Sequence, residues 1–362
     1  MHARRWLAAV AAIFAFSTLW LASVACAQVD PFAPGWDLDR SQSNIKFQSI
    51  KYTAEHKMKV ESSSFATFDA SIEPTGDATI KVALDSVDTL VDLRNVRMRF
   101  LFFETFKYPE ATVRVHLTPE MIADLPARRR ETLTVPFTFD LHGVEAQLES
   151  PVTVTLLNDD QISVASAVPI SIAASDFGLA ENITKLENAV GGISVVPSAT
   201  VTFDLLFQRR GTATVPPAGE PAQPEQVQSV ALESSGNFSS EECVGRFETL
   251  SQTGSIYFRT ASARLQEDSY PLLGSVVDIV RRCPQLKVVI SGYTDSDGSP
   301  DTNRVLSEAR ARSVMDYLVG KGIGQQQLTA VGYGEDHPVA PNDTAHNKGL
   351  NRRIEFSAQH AS

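Results

Sequence analysis

From Trp36 to about Phe207 the chain alternates apolar and polar residues with a period of two. Eight stretches carry the pattern: residues 44–47, 65–72, 79–84, 112–117, 132–141, 152–157, 162–172 and 199–207. Turn signals such as Pro74-Thr75-Gly76, His142-Gly143 and Asn158-Asp159-Asp160 separate them. Strands at such short spacing predict an antiparallel barrel or sandwich rather than a parallel sheet. One segment breaks the rhythm. Residues 95–108, NVRMRFLFFETFKY, are rich in aromatics and predict a short helix or irregular cover that ends at Pro109. Its Phe100, Phe102, Phe103 and Phe106 are candidates to plug a barrel or line a lipid pocket; plain core is the alternative for each.

A second stretch, residues 287–318, reads differently. Lys287-Val288-Val289-Ile290 is a β-branched strand closed by Gly292, and residues 294–301 form a polar turn with three aspartates. The following helix, expected from Thr302 to Lys321 with Asp301 or Thr302 as its cap, contains an anomaly. At about 100° per residue, Leu306, Val314 and Leu318 share a face, and so do Asn303, Ser307 and Arg310. An inward arginine needs a partner, because an unpaired buried guanidinium is costly. Two readings stay open: a structural salt bridge to Asp295, or an aspartate and an arginine standing apart to hold the two ends of a zwitterion.

Around this stretch the chain predicts strand–helix–strand–helix–strand–strand. Ile256-Tyr257-Phe258 is the first strand, and Leu272, Leu273, Val276, Val277 and Val280 recur at helical spacing between Pro271 and Pro284. Gly292-Tyr293-Thr294-Asp295, Asn303, Leu306-Ser307, Arg310-Ala311, Gly332-Tyr333-Gly334, Asn342-Asp343-Thr344 and Asn351-Arg352-Arg353 follow in unbroken order. This pattern resembles OmpA-like peptidoglycan-binding domains over residues 255–356. The resemblance implies a βαβαββ α/β domain that grips diaminopimelate of the peptide stem. Asp295, beside Thr294, would take the ammonium and Arg310 the carboxylate, with Asn303 and Arg352 or Arg353 as outer contacts. Thr260 and Ala261 stand where that family carries a Phe-Asp pair.

The front region also resembles a family, the YceI-like, lipocalin-type barrels. Trp36-x-Leu38-Asp39, Phe65-x-x-Phe68, Val87-Asp88-Thr89, Arg94-x-x-Arg97, Phe102-Phe103, Tyr108-Pro109, His142-Gly143 and Asp176-Phe177-Gly178-Leu179 carry the likeness over residues 35–206. Gln42 replaces the histidine that the family places before Ser43. The resemblance implies an antiparallel barrel around an elongated apolar cavity for isoprenoid or fatty chains. An eight-stranded barrel is wide enough for one slender ligand. The alternative is a barrel filled by its own side chains.

The first residues read as an export signal: Arg4-Arg5, an apolar run over 6–21, and Ala25-Cys26-Ala27 as a cleavage site before Gln28. A lipid anchor on Cys26 is the alternative. Losing residues 1–27 removes two arginines and takes the formal charge from −11 to −13. So acidic a chain, whose basic run is Arg128-Arg129-Arg130, is a poor binder of nucleic acid. Of three cysteines, Cys243 and Cys283 would remain, an even pair that predicts a disulfide in an oxidising compartment. Residues 208–242, with Pro216-Pro217, Pro221 and Pro224, read as a linker that lets the barrel range.

The expected organisation is therefore signal peptide 1–27, barrel 35–207, linker 208–242 and wall-binding domain 243–362. A transmembrane barrel is disfavoured, since Trp36 is the one tryptophan beyond the signal. No zinc spacing, nucleophile elbow or phosphate loop stands out, Asp295-Ser296-Asp297-Gly298 lacks the spacing of a calcium loop, and His142 reads as structural. No cofactor or metal is expected. The predicted function is a non-catalytic, periplasmic, wall-associated protein that binds peptidoglycan and a lipid or isoprenoid, with outer-membrane association as a further expectation. An adaptor with a filled barrel is the first alternative, and an envelope enzyme the second.

Overall fold

The computed structural model describes residues 30–211, 236–253 and 256–360. The expected signal peptide with Cys26, and most of the expected linker, lie outside the described residues.

The front region is a closed antiparallel barrel. Its strands are β1 (Trp36–Tyr52), β2 (Met58–Phe65), β3 (Phe68–Ile72), β4 (Asp77–Ala83), β5 (Val87–Asp88), β6 (Glu110–His116), β7 (Arg130–Leu141), β8 (Val144–Asn158), β9 (Gln161–Ser166), β10 (Ile170–Ala173) and β11 (Ser194–Arg209). The ring runs β1-β3-β4-β6-β7-β8-β9-β11 and closes where β1 pairs with β11, from Trp36 opposite Arg209 to Tyr52 opposite Ser194. Two of its strands are broken in the middle. β3 and then β2 lie along successive halves of β1, and β9 and then β10 along β11. At the first break Ser86 fills in for the missing ladder, its carbonyl taking the Ala66 N–H and its hydroxyl the Thr67 N–H.

All eight sequence stretches form strands, but the one over 65–72 and the one over 162–172 are each interrupted. β2 was not foreseen. Its Met58 and Val60 face solvent, 61% and 55% exposed, while Glu61 and Ser63 point inward. That inverts the usual alternation, so period-two reading finds no strand there.

A lid closes one end of the barrel. It consists of α1 (Asp92–Arg97), a π-helical turn over Met98–Phe102, and, after α2 (Leu125–Arg128) elsewhere on the rim, α3 (Ala180–Val190). Asn95 anchors α1 by accepting from the Thr89 N–H at 2.7 Å, and Asn182 of α3 donates to the Phe102 carbonyl at 2.8 Å. Glu104, just past the turn, ties the lid down: His142 Nε2 lies 3.0 Å from one carboxylate oxygen and Lys185 Nζ 3.0 Å from the other. Burial favours the protonated acid, but those two partners outweigh it and lower the Glu104 pKa from 4.5 to about 2. His142 thus sits in a structural contact, with Tyr108 against its ring at 4.0 Å.

The C-terminal region comprises α4 (Ser240–Ser251), α5 (Tyr270–Arg281), β12 (Leu286–Tyr293), α6 (Pro300–Gly320), β13 (Leu328–Gly334), α7 (Ala345–Asn351) and β14 (Ile354–His360). Its sheet has the order β13-β12-β14, parallel then antiparallel. Three expectations are corrected here. Residues 256–258 do not join the sheet and make a single bridge, Phe258 to Leu265. The Ser269 hydroxyl and the Gln266 N–H satisfy the backbone of Tyr257 instead, so no ladder is left for a strand to build on. The linker ends earlier than expected: a capping box, Ser239 with Glu242, starts α4, which carries Cys243, inside residues 208–242. Ser299, not Asp301 or Thr302, caps α6 by accepting from the Thr302 N–H at 3.2 Å.

The Cys243–Cys283 disulfide is present and joins α4 to the end of α5. The two regions also touch. Val96 and Phe100 of the lid, with Phe106 packed beside them, belong to the same buried cluster as Phe238 and Phe247 of the C-terminal region. Gly245 leaves room for Leu93, whose Cδ1 would lie 2.9 Å from a Cβ at that site. The barrel is therefore packed against α4 rather than free to range.

Two tests follow from these contacts. The disulfide closes a 40-residue separation, so the Cys243→Ser/Cys283→Ser double variant should lose about 4 kcal/mol in denaturant unfolding. Glu104→Gln should lose about 1–2 kcal/mol near neutral pH. Because the folded carboxyl is depressed, its contribution is complete above the ordinary 4.5 and is lost as pH falls toward about 2. Melting curves taken across that window should converge for wild type and variant.

Candidate functional site

The first candidate site lies at the carboxyl ends of the parallel pair β12 and β13, where open α/β sheets place their ligand crevices. Glycines bring the helix close to these strands. A Cβ on Gly292 would stand 2.2 Å from the Ser307 carbonyl oxygen, and one on Gly332 would stand 2.3 Å from the Glu308 nitrogen. Backbone therefore lies on backbone, and the N-terminal half of α6 turns Asn303, Ser307 and Arg310 inward while Val314 and Leu318 fill the core below.

Arg310 and Asp295, each 7% exposed, do not pair with each other. The salt bridge to Asp295 Oδ2 comes from Arg352, and Oδ1 accepts from the Asp297 N–H at 3.1 Å. Arg310 donates from Nε to the Ser262 carbonyl at 3.0 Å and faces the Phe258 ring at 5.2 Å. Among the described residues neither Nη atom of Arg310 has a hydrogen-bond partner. Burial lowers the Arg310 pKa first, and the Arg352 charge lowers it further against the opposing pull of Asp295. The fork is thus desolvated and uncommitted.

The neighbours are arranged to hold the loop. Asn303 Nδ2 donates to the Asp295 carbonyl at 3.2 Å and to Glu335 at 2.7 Å. Thr294 gives its N–H to the Gly334 carbonyl at 2.7 Å, while among the described residues its buried Oγ1 has no hydrogen-bond partner. Lys348 reaches Asp297 at 2.7 Å. Arg353 is spent elsewhere: it lies 3.8 Å from the Tyr293 ring, bridges Glu355 at 2.7 Å and donates to the His337 carbonyl. Burial and then Glu355 push the Tyr293 phenol up to about 12. Sequence reading missed Ser262, whose carbonyl aims Arg310. It also missed the role of Asn351, which is fully buried and pins Val339, Ala340 and Asn342. The Thr260-Ala261 departure falls in the turn that presents Ser262, with Ala261 at a φ of 50°.

The second candidate site is the barrel interior, a cavity of about 1130 Å³. This exceeds the roughly 300–1,000 Å³ of common small-molecule pockets. Inward positions of successive strands line it in period two, as in Val113 and Val115 of β6 or Val135, Phe137 and Phe139 of β7. Phe102 and Phe103 face it. Phe100 and Phe106 do not: the lid turns them outward onto the C-terminal core, and they are withdrawn as lipid contacts.

Among the described residues no helix is long and apolar enough to cross a membrane, and no group of three or more His, Cys, Asp or Glu could hold a metal.

Comparison with known proteins accounts for both regions. The family model described as OmpA family matches residues 257–352, and that of the YceI-like domain matches residues 36–207. Over 103 residues, 28% of this chain, the sequence is 40% identical to the peptidoglycan-binding protein ArfA of Mycobacterium tuberculosis. The chain spans about a third of the length of those mycobacterial relatives, 32%. It is 31% identical over 129 residues to the peptidoglycan-associated lipoprotein of Buchnera aphidicola, covering 36% of this chain and 75% of that one. Among solved structures, a polyisoprenoid binding domain from Saccharophagus degradans is 29% identical, with a TM-score of 0.43. That alignment covers 48% of this chain and 98% of the other. The chain thus belongs to the OmpA family, with a YceI-like domain preceding the OmpA domain.

Proposed function

We propose that this is a non-catalytic periplasmic protein that attaches to peptidoglycan through its C-terminal domain and carries an elongated lipid in its barrel. The observation that bears the wall-binding half is the uncommitted fork of Arg310 beside an aspartate it does not pair with. Diaminopimelate in a peptide stem keeps a free ammonium and carboxylate at one end. The carboxylate suits two parallel N–H donors from Arg310. The ammonium suits Asp295, whose carboxylate has about four acceptor sites and uses two on Arg352 and Asp297. Thr294 Oγ1 supplies a further unpartnered group. In this reading Asn303 holds the loop and Arg352 is the outer contact, while Arg353 only supports the floor.

Sedimentation with purified sacculi tests this directly. Arg310→Ala and Asp295→Ala should each lower binding at least about tenfold, the worth of one charge-assisted contact, with the circular dichroism and melting of the wild type. Arg310→Lys should not restore it, because an ammonium offers no parallel fork. A stem peptide carrying diaminopimelate should compete, and one carrying lysine in its place, which keeps an ammonium but no carboxylate at that end, should not. Undiminished binding by Arg310→Ala would sink the assignment.

For the barrel, the supporting observation is the open apolar interior. Native mass spectrometry of protein purified from its own periplasm should find a lipid mass retained. Val135 lines the cavity at 5% exposure, and Val135→Trp should discard that mass while the barrel stays folded. An empty wild-type barrel would favour the adaptor alternative.

A further inference from the structure

The charged residues that line the cavity lie at its two ends, and the ends differ. At the end near Trp36 the charges are answered internally. Arg209 bridges Asp160 at 3.9 Å, donates to the Asp159 carbonyl at 3.1 Å and lies over the Trp36 ring at 4.3 Å. At the lid end, Lys51 of β1, Glu61 of β2, and Arg94 and Arg97 of α1 all line the cavity. Glu61 bridges Lys51 at 2.8 Å and also bridges Arg94. One carboxylate therefore serves two cations and leaves a third.

That third is Arg97. Among the described residues it makes no salt bridge, and its Nε is buried with no hydrogen-bond partner. Glu248 of α4, in the wall-binding domain, favours its charge without bridging it. Burial disfavours the charge on Lys51, Arg94 and Arg97 alike, and on Lys51 the nearby Arg94 and Lys59 add to the effect. A positive surplus at the mouth of an apolar tube is costly unless an anion occupies it. The inverted strand β2, with Glu61 and Ser63 inside, makes this the polar end of an otherwise greasy channel.

We propose that the barrel's ligand is a single-chain amphiphile with an anionic head, a phosphate or a carboxylate. The head sits among Lys51, Arg94 and Arg97 under the lid, and the hydrocarbon runs down the barrel toward Trp36. This rests on the lipid-carrying reading above and names the chemical class that it leaves open.

Calorimetric titration of the delipidated full chain distinguishes the two claims. The probes are geranylgeranyl phosphate against geranylgeraniol, and palmitate against hexadecanol. At least one anion should bind about tenfold more tightly than its alcohol. A preference in the first pair identifies a prenyl phosphate, in the second a fatty acid. Arg97→Gln, which breaks no existing pair, should remove the preference and leave the alcohols unchanged, and Lys51→Met should weaken it in the same way. Alcohols binding as tightly as anions, or Arg97→Gln weakening both alike, would overturn the anionic head and leave lipid carriage standing. If no probe of either kind binds, the lipid-carrying reading fails and the head assignment falls with it.

Discussion

A guanidinium withdrawn from water must be answered by a carbonyl, a ring or an anion, and two such groups organise this molecule. Arg310 is answered by the Ser262 carbonyl and the Phe258 ring, which fix its Nε and leave its outer nitrogens open. Arg97 has less: a distant carboxylate on another helix and a buried nitrogen with nothing to bond. Neither is sealed in completely, since Arg310 keeps 7% of its surface exposed and Arg97 is half-buried. A cation completely enclosed would demand a partner from the protein itself.

Each site inherits its shape from a backbone constraint. In the C-terminal domain, side-chain-free positions at 292 and 332 let α6 settle onto the sheet, which carries Asn303, Ser307 and Arg310 over the strand ends. In the barrel, the length of β1 and β11 matters more than any side chain. Seventeen and sixteen residues long, they pair from rim to rim and force the ring shut. A ring of eight strands then encloses more room than its inward valines and phenylalanines fill.

How much of this could be read beforehand depends on whether the signal was local. The Asp295 and Arg310 positions were legible because a polar loop and an inward arginine are both unusual, and each shows at its own residue. The barrel was legible because alternation repeats many times. What escaped depended on direction or on distant partners. β2 hid because Met58 and Val60 point out and Glu61 and Ser63 in. Residues 256–258 look like a strand by composition, yet Ser269 claims their hydrogen bonds. The capping box Ser239-x-x-Glu242 was visible in principle, but the proline-rich run before it set the reading. Nothing local says which side of the π-helical turn Phe100 and Phe102 take.

The lid segment belongs to two buildings at once. Arg97 and Phe102 look into the barrel, while Val96 and Phe100 are mortared into the neighbouring domain. Severing the chain ahead of α4 would strip Val96, Phe100 and Phe106 of their cover and leave a greasy scar beside the barrel's entrance. An isolated barrel is thus a poor stand-in for the native one, and whatever enters or leaves it does so past a doorframe that the C-terminal half helps to hold.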